Sequence, residues 1–190
     1  ISGREIWRYD PKVSNAAIPY SASCRGVTAF RAPVSNPDRL ELTQGPRAQP
    51  CSLRIIEGTL DGRIIAVDAE TGRPCADFGL NGQVDIKQGM GVVYPGMAAI
   101  TAPPVIVRGN IVTGHQVMDG QRNSAPSGVI QAFDAVTGER AWAWDMGRPG
   151  EYGQPEPDEE FTRGTPNMWT TASADENLGL VYLPMGNSAV

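Results

Sequence analysis

Between Pro126 and Asp145 the side chains alternate with the period of two that an extended strand imposes. Val129, Gln131 and Phe133 fall on one face, and Ile130, Ala132 and Asp134 on the other. Asp134, Thr137 and Gly138 then predict a turn, because Asp and Thr side chains accept bonds from backbone N–H groups just ahead and Gly tolerates positive φ. Ala141-Trp142-Ala143-Trp144 alternates small and large, which predicts a second strand. The two form a hairpin whose Trp142 can lie flat against a neighbouring sheet.

The pattern recurs twice. Ala66-Val67-Asp68 and Thr71-Gly72 repeat Ala132-Phe133-Asp134 and Thr137-Gly138, and Gly3-Arg4-Glu5-Ile6-Trp7 matches Gly138-Glu139-Arg140-Ala141-Trp142. The glycines stand at positions 3, 72 and 138, a spacing that suits a four-stranded blade with insertions. The copy at Gly72 carries Ala76 where the others carry Trp, so one docking position is weakened. Further strands are predicted at Arg4 to Tyr9, Cys24 to Phe30, Leu53 to Glu57, Arg63 to Val67, Pro103 to Val107, Asn110 to Gly114 and Leu180 to Pro184. Arg31 to Pro50 and the acidic Gly147 to Gly164 read as loops or exposed excursions. Helical periodicity is scarce. The expected fold class is therefore all-β, part of a propeller, with residues 1–190 forming fewer than three blades of a single domain cut from a longer protein. A small self-contained all-β domain that repeats itself is the alternative.

Charge and cysteine content narrow the chemistry. A net charge of −5 with no basic stripe argues against nucleic acid. No stretch approaches the roughly 18 apolar residues of a membrane span. Three cysteines without CxxC spacing and a single histidine make a zinc site a poor expectation. Cys24 and Cys51 are candidates for a disulfide in an oxidising compartment; equally, Cys24, Cys51 and Cys75 suit buried thiols.

The AxDxxTGxxxW repeat, Cys24-Arg25-Gly26-Val27, Pro126-Ser127-Gly128-Val129-Ile130, Thr165-Pro166-Asn167-Met168-Trp169 and Leu180-Val181-Tyr182-Leu183-Pro184 stand in an order that resembles the pyrroloquinoline-quinone (PQQ) dehydrogenases. The likeness is to the membrane-bound glucose/quinate/shikimate branch. The resemblance implies an eight-bladed propeller with PQQ near its axis and calcium or magnesium against the quinone. It implies oxidation of a sugar or polyol hydroxyl, with ubiquinone as electron acceptor, at the periplasmic face of the bacterial inner membrane. The membrane anchor would lie outside this chain.

The same resemblance implies roles residue by residue. Trp169 matches the indole on which the quinone stacks, although a core Trp is the plainer reading. Arg25 matches an arginine that pairs with PQQ carboxylates, against a structural ion pair. Thr101 is a further cofactor contact. Asn187, 18 residues after Trp169, matches an amide metal ligand, and Asp119 falls where the glucose branch has an Asp-Asn pair associated with metal. Either is also an ordinary turn residue, and Gly120 leaves the Asp-Asn pair incomplete. His115 is expected to be a hydrogen-bonded structural histidine, and Trp7 and Trp142 to be structural.

Two departures qualify the likeness. Ser21 stands where the glucose branch places a histidine, which raises quinate, shikimate or another polyol against glucose. The family's catalytic aspartate lies beyond Val190, so no residue of this chain is assigned as the base, and the segment alone is expected to be inactive. Outside this family, the repeat also fits a non-catalytic propeller scaffold or sensor, or a sugar-binding module without redox chemistry.

Overall fold

A computed structural model describes residues 3–23, 25–33, 50–120 and 122–188. Its strands are β1 (Thr28–Arg31), β2 (Leu53–Gly58), β3 (Arg63–Asp68), β4 (Gln83–Asp85), β5 (Ala98–Ala99), β6 (Val105–Val107), β7 (Asn110–Thr113), β8 (Gln116–Val117), β9 (Ile130–Asp134), β10 (Arg140–Trp144), β11 (Ser173–Asp175) and β12 (Leu180–Tyr182). One 3₁₀ turn, Asn15–Ala17, is the helical element among the described residues. Strands β1 to β4 form one antiparallel sheet in chain order, and β6, β7, β9 and β10 form a second. Strands β11 and β12 begin a third, while β5 pairs with β8. The fold is thus all-β: two propeller blades and the start of another.

The period-two alternation sorts side chains into two cores. From β9, Phe133 enters a cluster with Ile56, Ile64, Phe78, Ile86 and Ile111 between the two full sheets. Ile130 and Ala132, on the opposite face, join Val112 and Met168 in a second cluster, against which Trp142 and Trp144 pack. A strand buried on both faces must satisfy every polar group inside. Gln131 does so in part by donating from Nε2 to the Ile86 carbonyl across the seam, 2.8 Å away.

The expected turns form as the side chains dictate. Asp134 Oδ1 accepts from the N–H groups of Val136 and Thr137, at 2.9 and 2.7 Å, and Asp68 Oδ1 accepts from Glu70 and Thr71 at 3.1 and 2.9 Å. Burial works to raise both carboxyls, but hydrogen-bond donors more than offset it, Cys51 N–H and the Thr71 hydroxyl foremost at Asp68 and the Thr137 and Val136 N–H groups at Asp134, and hold them below the usual aspartate range. A further copy was not legible in sequence. Asp175 Oδ1 accepts from Leu178 N–H at 2.9 Å, and Gly179 N–H donates to the Asp175 carbonyl, as Gly72 and Gly138 do to Asp68 and Asp134.

The first and third turn glycines are each covered by a flat group from elsewhere, while at Gly138 a Cβ would meet Val84 Cγ2 at 2.7 Å and the Gly79 backbone at 2.8 Å. A Cβ on Gly72 would come within 2.6 Å of the Trp7 ring, whose Nε1 donates to the Ala69 carbonyl at 2.9 Å. At the next seam Ala76 replaces the Trp, and the carbonyl equivalent to Ala69, that of Ala135, is bonded instead by Arg54. This guanidinium is 1 % exposed. Its Nη1 donates to the Ala135 and Val136 carbonyls at 3.2 and 2.9 Å, its Nε to the Cys51 carbonyl at 3.1 Å, and its Nη2 to Asp77 Oδ2 at 3.0 Å. At the third turn Arg108 lies on Gly179 and donates to the Asn177 carbonyl at 3.0 Å.

Several expectations are corrected. The segment 4–9 is not a strand: among the described residues no neighbouring strand pairs with its backbone, and Trp7 docks it while Ile6 is exposed. The strand expected at Cys24 to Phe30 shifts to β1, because Gly26 adopts φ +147° and Arg25 precedes the pairing. The strand at Leu180 to Pro184 ends at Tyr182. The acidic excursion is exposed from Pro149 to Glu160 except for half-buried Pro155, as expected, and its end is tied back: Asp145 Oδ2 accepts from Thr162 N–H at 2.7 Å, and buried Phe161 donates its N–H to the Gly89 carbonyl. Cys51 bonds not to Cys24 but to Cys75. Both flank the end of β3, Cys51 N–H donating to Asp68 Oδ2 at 2.6 Å and Cys75 N–H to the Ala66 carbonyl at 2.9 Å, which brings their Cα atoms to 5.7 Å. Cys24 and most of the loop from Arg31 to Pro50 lie outside the described residues.

Two stability tests follow from this packing. Arg54→Met strands two carbonyls at the seam and is expected to cost about 2–4 kcal/mol, read from the urea midpoint of the complete protein. His115 is buried, with Nε2 donating to the Ser127 carbonyl at 2.8 Å, and burial holds its pKa down from 6.5 to about 4. Between those values the unfolded chain takes up a proton that the folded one refuses, so stability falls as pH falls through that window. The loss amounts to roughly 3 kcal/mol by pH 4. His115→Gln is expected to flatten that segment of the stability-against-pH curve.

Candidate cofactor site

The excursion ends at Gly164 and delivers the segment 165–169 into a slot between two glycines. A Cβ on Gly128 would run into the Pro166 carbonyl, and one on Gly114 would lie 2.7 Å from Met168 Cβ. Thr165 Oγ1 accepts from Gly128 N–H at 2.9 Å, and Met168 enters the second core. With Met168 pointing inward, Trp169 is turned outward and is 47 % exposed. A large indole so exposed beside a buried anchor is a bare flat surface rather than core packing.

Three of the expected site residues meet here. Arg25 Nη1 donates to the Thr101 carbonyl at 3.0 Å and to the Trp169 carbonyl at 3.1 Å, with its guanidinium carbon 5.6 Å from the centre of the indole. Thr101, 4 % exposed, donates its hydroxyl to the Trp169 carbonyl at 2.7 Å. Thr101 therefore fixes the backbone that carries the indole. Among the described residues the hydrogen-bond partners of Arg25 are neutral carbonyls, so these bonds orient the guanidinium without neutralising it.

Asn187 approaches from the chain after β12. A Cβ on Gly186 would lie 3.1 Å from Trp169 Nε1, so this backbone runs along the indole edge. The Asn187 side chain is exposed, and the backbone carbonyl of Asn187 accepts from Asn167 Nδ2 at 3.3 Å. Asp119 is exposed two residues beyond β8, with its N–H donating to the Tyr20 hydroxyl at 2.9 Å. Its connection to the group runs through Val117, whose N–H donates to Asn167 Oδ1 at 3.3 Å. Ser21 is exposed, with its hydroxyl 3.1 Å from that of Ser23.

Asn167 and Tyr20 enter this group of residues without a role expected from sequence. The signal for Asn167 was an amide between Pro166 and Met168 in a segment otherwise committed to the interior. For Tyr20 no signal existed, because its partner is 99 residues away.

A guanidinium that no carboxylate pairs with among the described residues, beside an exposed indole, is suited to a flat, conjugated anion. Comparison with known proteins agrees with that class. Residues 1–190 match the family described as PQQ: Glucose/ethanol/alcohol dehydrogenase, beta-propeller domain. The chain belongs to this family of PQQ-dependent dehydrogenase propellers, in which PQQ is the cofactor.

The chain is 49 % identical over 188 residues to the glycerol dehydrogenase large subunit of Gluconobacter oxydans, covering 99 % of this chain and 24 % of that protein. It is 37 % identical over 185 residues to the quinoprotein glucose dehydrogenase of Escherichia coli, covering 97 % and 22 %. The quinohemoprotein alcohol dehydrogenase structure from Comamonas testosteroni superposes with a TM-score of 0.62 at 24 % identity, over 98 % of this chain and 25 % of that one. That likeness concerns the fold. The chain spans about a quarter of the length of these relatives.

Trp169→Leu in the complete protein is expected to raise the PQQ dissociation constant about tenfold, as loss of a stacking surface requires. Trp142→Leu, in the second core, is expected to lower the thermal midpoint and leave PQQ affinity unchanged. Equilibrium dialysis with PQQ checks both.

Proposed function

We propose that this chain is one section of an eight-bladed PQQ-dependent dehydrogenase that oxidises a hydroxyl of a polyol or sugar and passes the electrons to ubiquinone. The complete protein would work at the periplasmic face of the bacterial inner membrane. Among the described residues no helix is long and apolar enough to cross a membrane.

The observation that carries this reading is the meeting of Arg25, Thr101 and Trp169, residues up to 144 positions apart. A scaffold propeller needs the repeat but has no use for an exposed indole with an oriented guanidinium beside it that no carboxylate pairs with among the described residues. Trp169 would support the flat face of PQQ, and Arg25 would hold a carboxylate of it. Asn187 and Asp119 would offer oxygen ligands to calcium or magnesium, both hard cations. Held by these residues, PQQ would supply the hydride-accepting chemistry and the cation Lewis-acid assistance to it. The base that takes the hydroxyl proton is assigned to no residue of this chain.

For the substrate, the 49 % identity to a protein named a glycerol dehydrogenase large subunit favours an acyclic polyol. The small Ser21 hydroxyl, in place of the histidine of the glucose branch, supports the same choice. The complete protein, reconstituted with PQQ and calcium, is expected to reduce an artificial dye faster with glycerol and related polyols than with glucose or quinate. PQQ binding without turnover of any of these would leave a non-catalytic propeller; quinate as the best substrate would reassign the substrate alone.

A further inference from the structure

Asn167 is 2 % exposed, and its amide faces two different loops. Val117 N–H can only donate and the Asn187 carbonyl can only accept, so the partners themselves fix Oδ1 toward β8 and Nδ2 toward Asn187, each at 3.3 Å. The backbone adds a third link, the Asn167 carbonyl accepting from Gly186 N–H at 2.8 Å. Its own position is not free: the neighbouring Pro166 and Met168 are seated on Gly128 and Gly114. One residue thus ties the end of the strand leading to Asp119, the segment carrying Asn187, and the backbone two residues before Trp169.

We infer that Asn167 is a positioning residue that sets the metal-ligand loops, through Val117 and Asn187, against the indole that supports the cofactor. The inference rests on the proposed PQQ and metal site. A side chain with one acceptor and one donor on a short, planar group is needed, because the two loops present opposite polarity. A hydroxyl on one carbon cannot reach both. In a dry surrounding each bond is stronger than in water, and leaving either partner bare is costly. Hard cations are sensitive to ligand placement, and removal of a group that orients ligands weakens metal affinity about 10- to 100-fold.

The test follows the calcium dependence of PQQ binding in the complete protein, by PQQ retained on gel filtration across a calcium titration. Asn167→Leu, close in volume and unable to make either bond, is expected to raise the calcium needed for half-maximal retention about 10- to 100-fold. Asn167→Ser gives the same readout should the leucine variant not fold. Gln131→Met removes a buried cross-seam hydrogen bond in the first core and serves as the stability control. It is expected to lower the thermal midpoint with the calcium requirement unchanged. If the Asn167 variants behave like Gln131→Met, Asn167 is merely structural and the inference is overturned. If the unmodified protein retains no PQQ at any calcium concentration, the proposed function falls, and this inference with it.

Discussion

The structure depends on covering the rim turns. An Asp side chain that accepts two N–H bonds closes a strand pair tightly, but only by sending the chain through a positive-φ glycine with no side chain to shield it. The bare backbone so created must be covered by a neighbour, and its spare carbonyls need donors. Trp7 and Arg108 do both at Gly72 and Gly179; at Gly138 the Val84 side chain and the Gly79 backbone give the cover while Arg54 supplies the donors. The seam between blades is therefore held at the rim by directional bonds and in the middle by apolar burial.

Arg54 shows how such a seam tolerates the loss of its usual residue. With Ala76 there is no indole to donate to the Ala135 carbonyl, and a fully buried cation takes its place. A buried charge is costly unless every donor is used. Here Nε, Nη1 and Nη2 reach three backbone carbonyls and one carboxylate. The Cys51–Cys75 bond closes this arrangement, since Cys51 supplies one of those carbonyls and Cys75 sits two residues before Asp77. The covalent link and the ion pair thus constrain the same plug.

Much of this was written in the sequence. Period-two alternation placed β2, β3, β6, β7, β9 and β10, because strand-forming residues and Asp-to-Gly turns agree locally. The repeat announced the blades. What sequence did not show depends on partners distant in the chain. The extended residues 4–9 look like a strand but pair with none among the described residues. Arg54 reads as a polar residue in an alternating strand, and only the fold reveals that it points into a seam. The turn at Asp175 lacks Thr and Trp, the two residues that made its siblings recognisable. Cysteine pairing was open because spacing alone does not say which strand ends lie together.

The site was legible in a different way. Resemblance named Arg25, Thr101 and Trp169, and their bonds to one another supply an independent physical reason for the grouping. For Asn187 and Asp119 the physical reason is less direct, since their side chains are exposed and their backbones are what the fold controls. A metal ligand carried on an exposed loop is only as well placed as the buried group behind that loop. The polar residue that reaches both loops is Asn167, and its geometry is set by the two glycines that let its neighbours approach so closely. The precision of the outer residues is thus inherited from an inner segment where no larger side chain at Gly114 or Gly128 could fit.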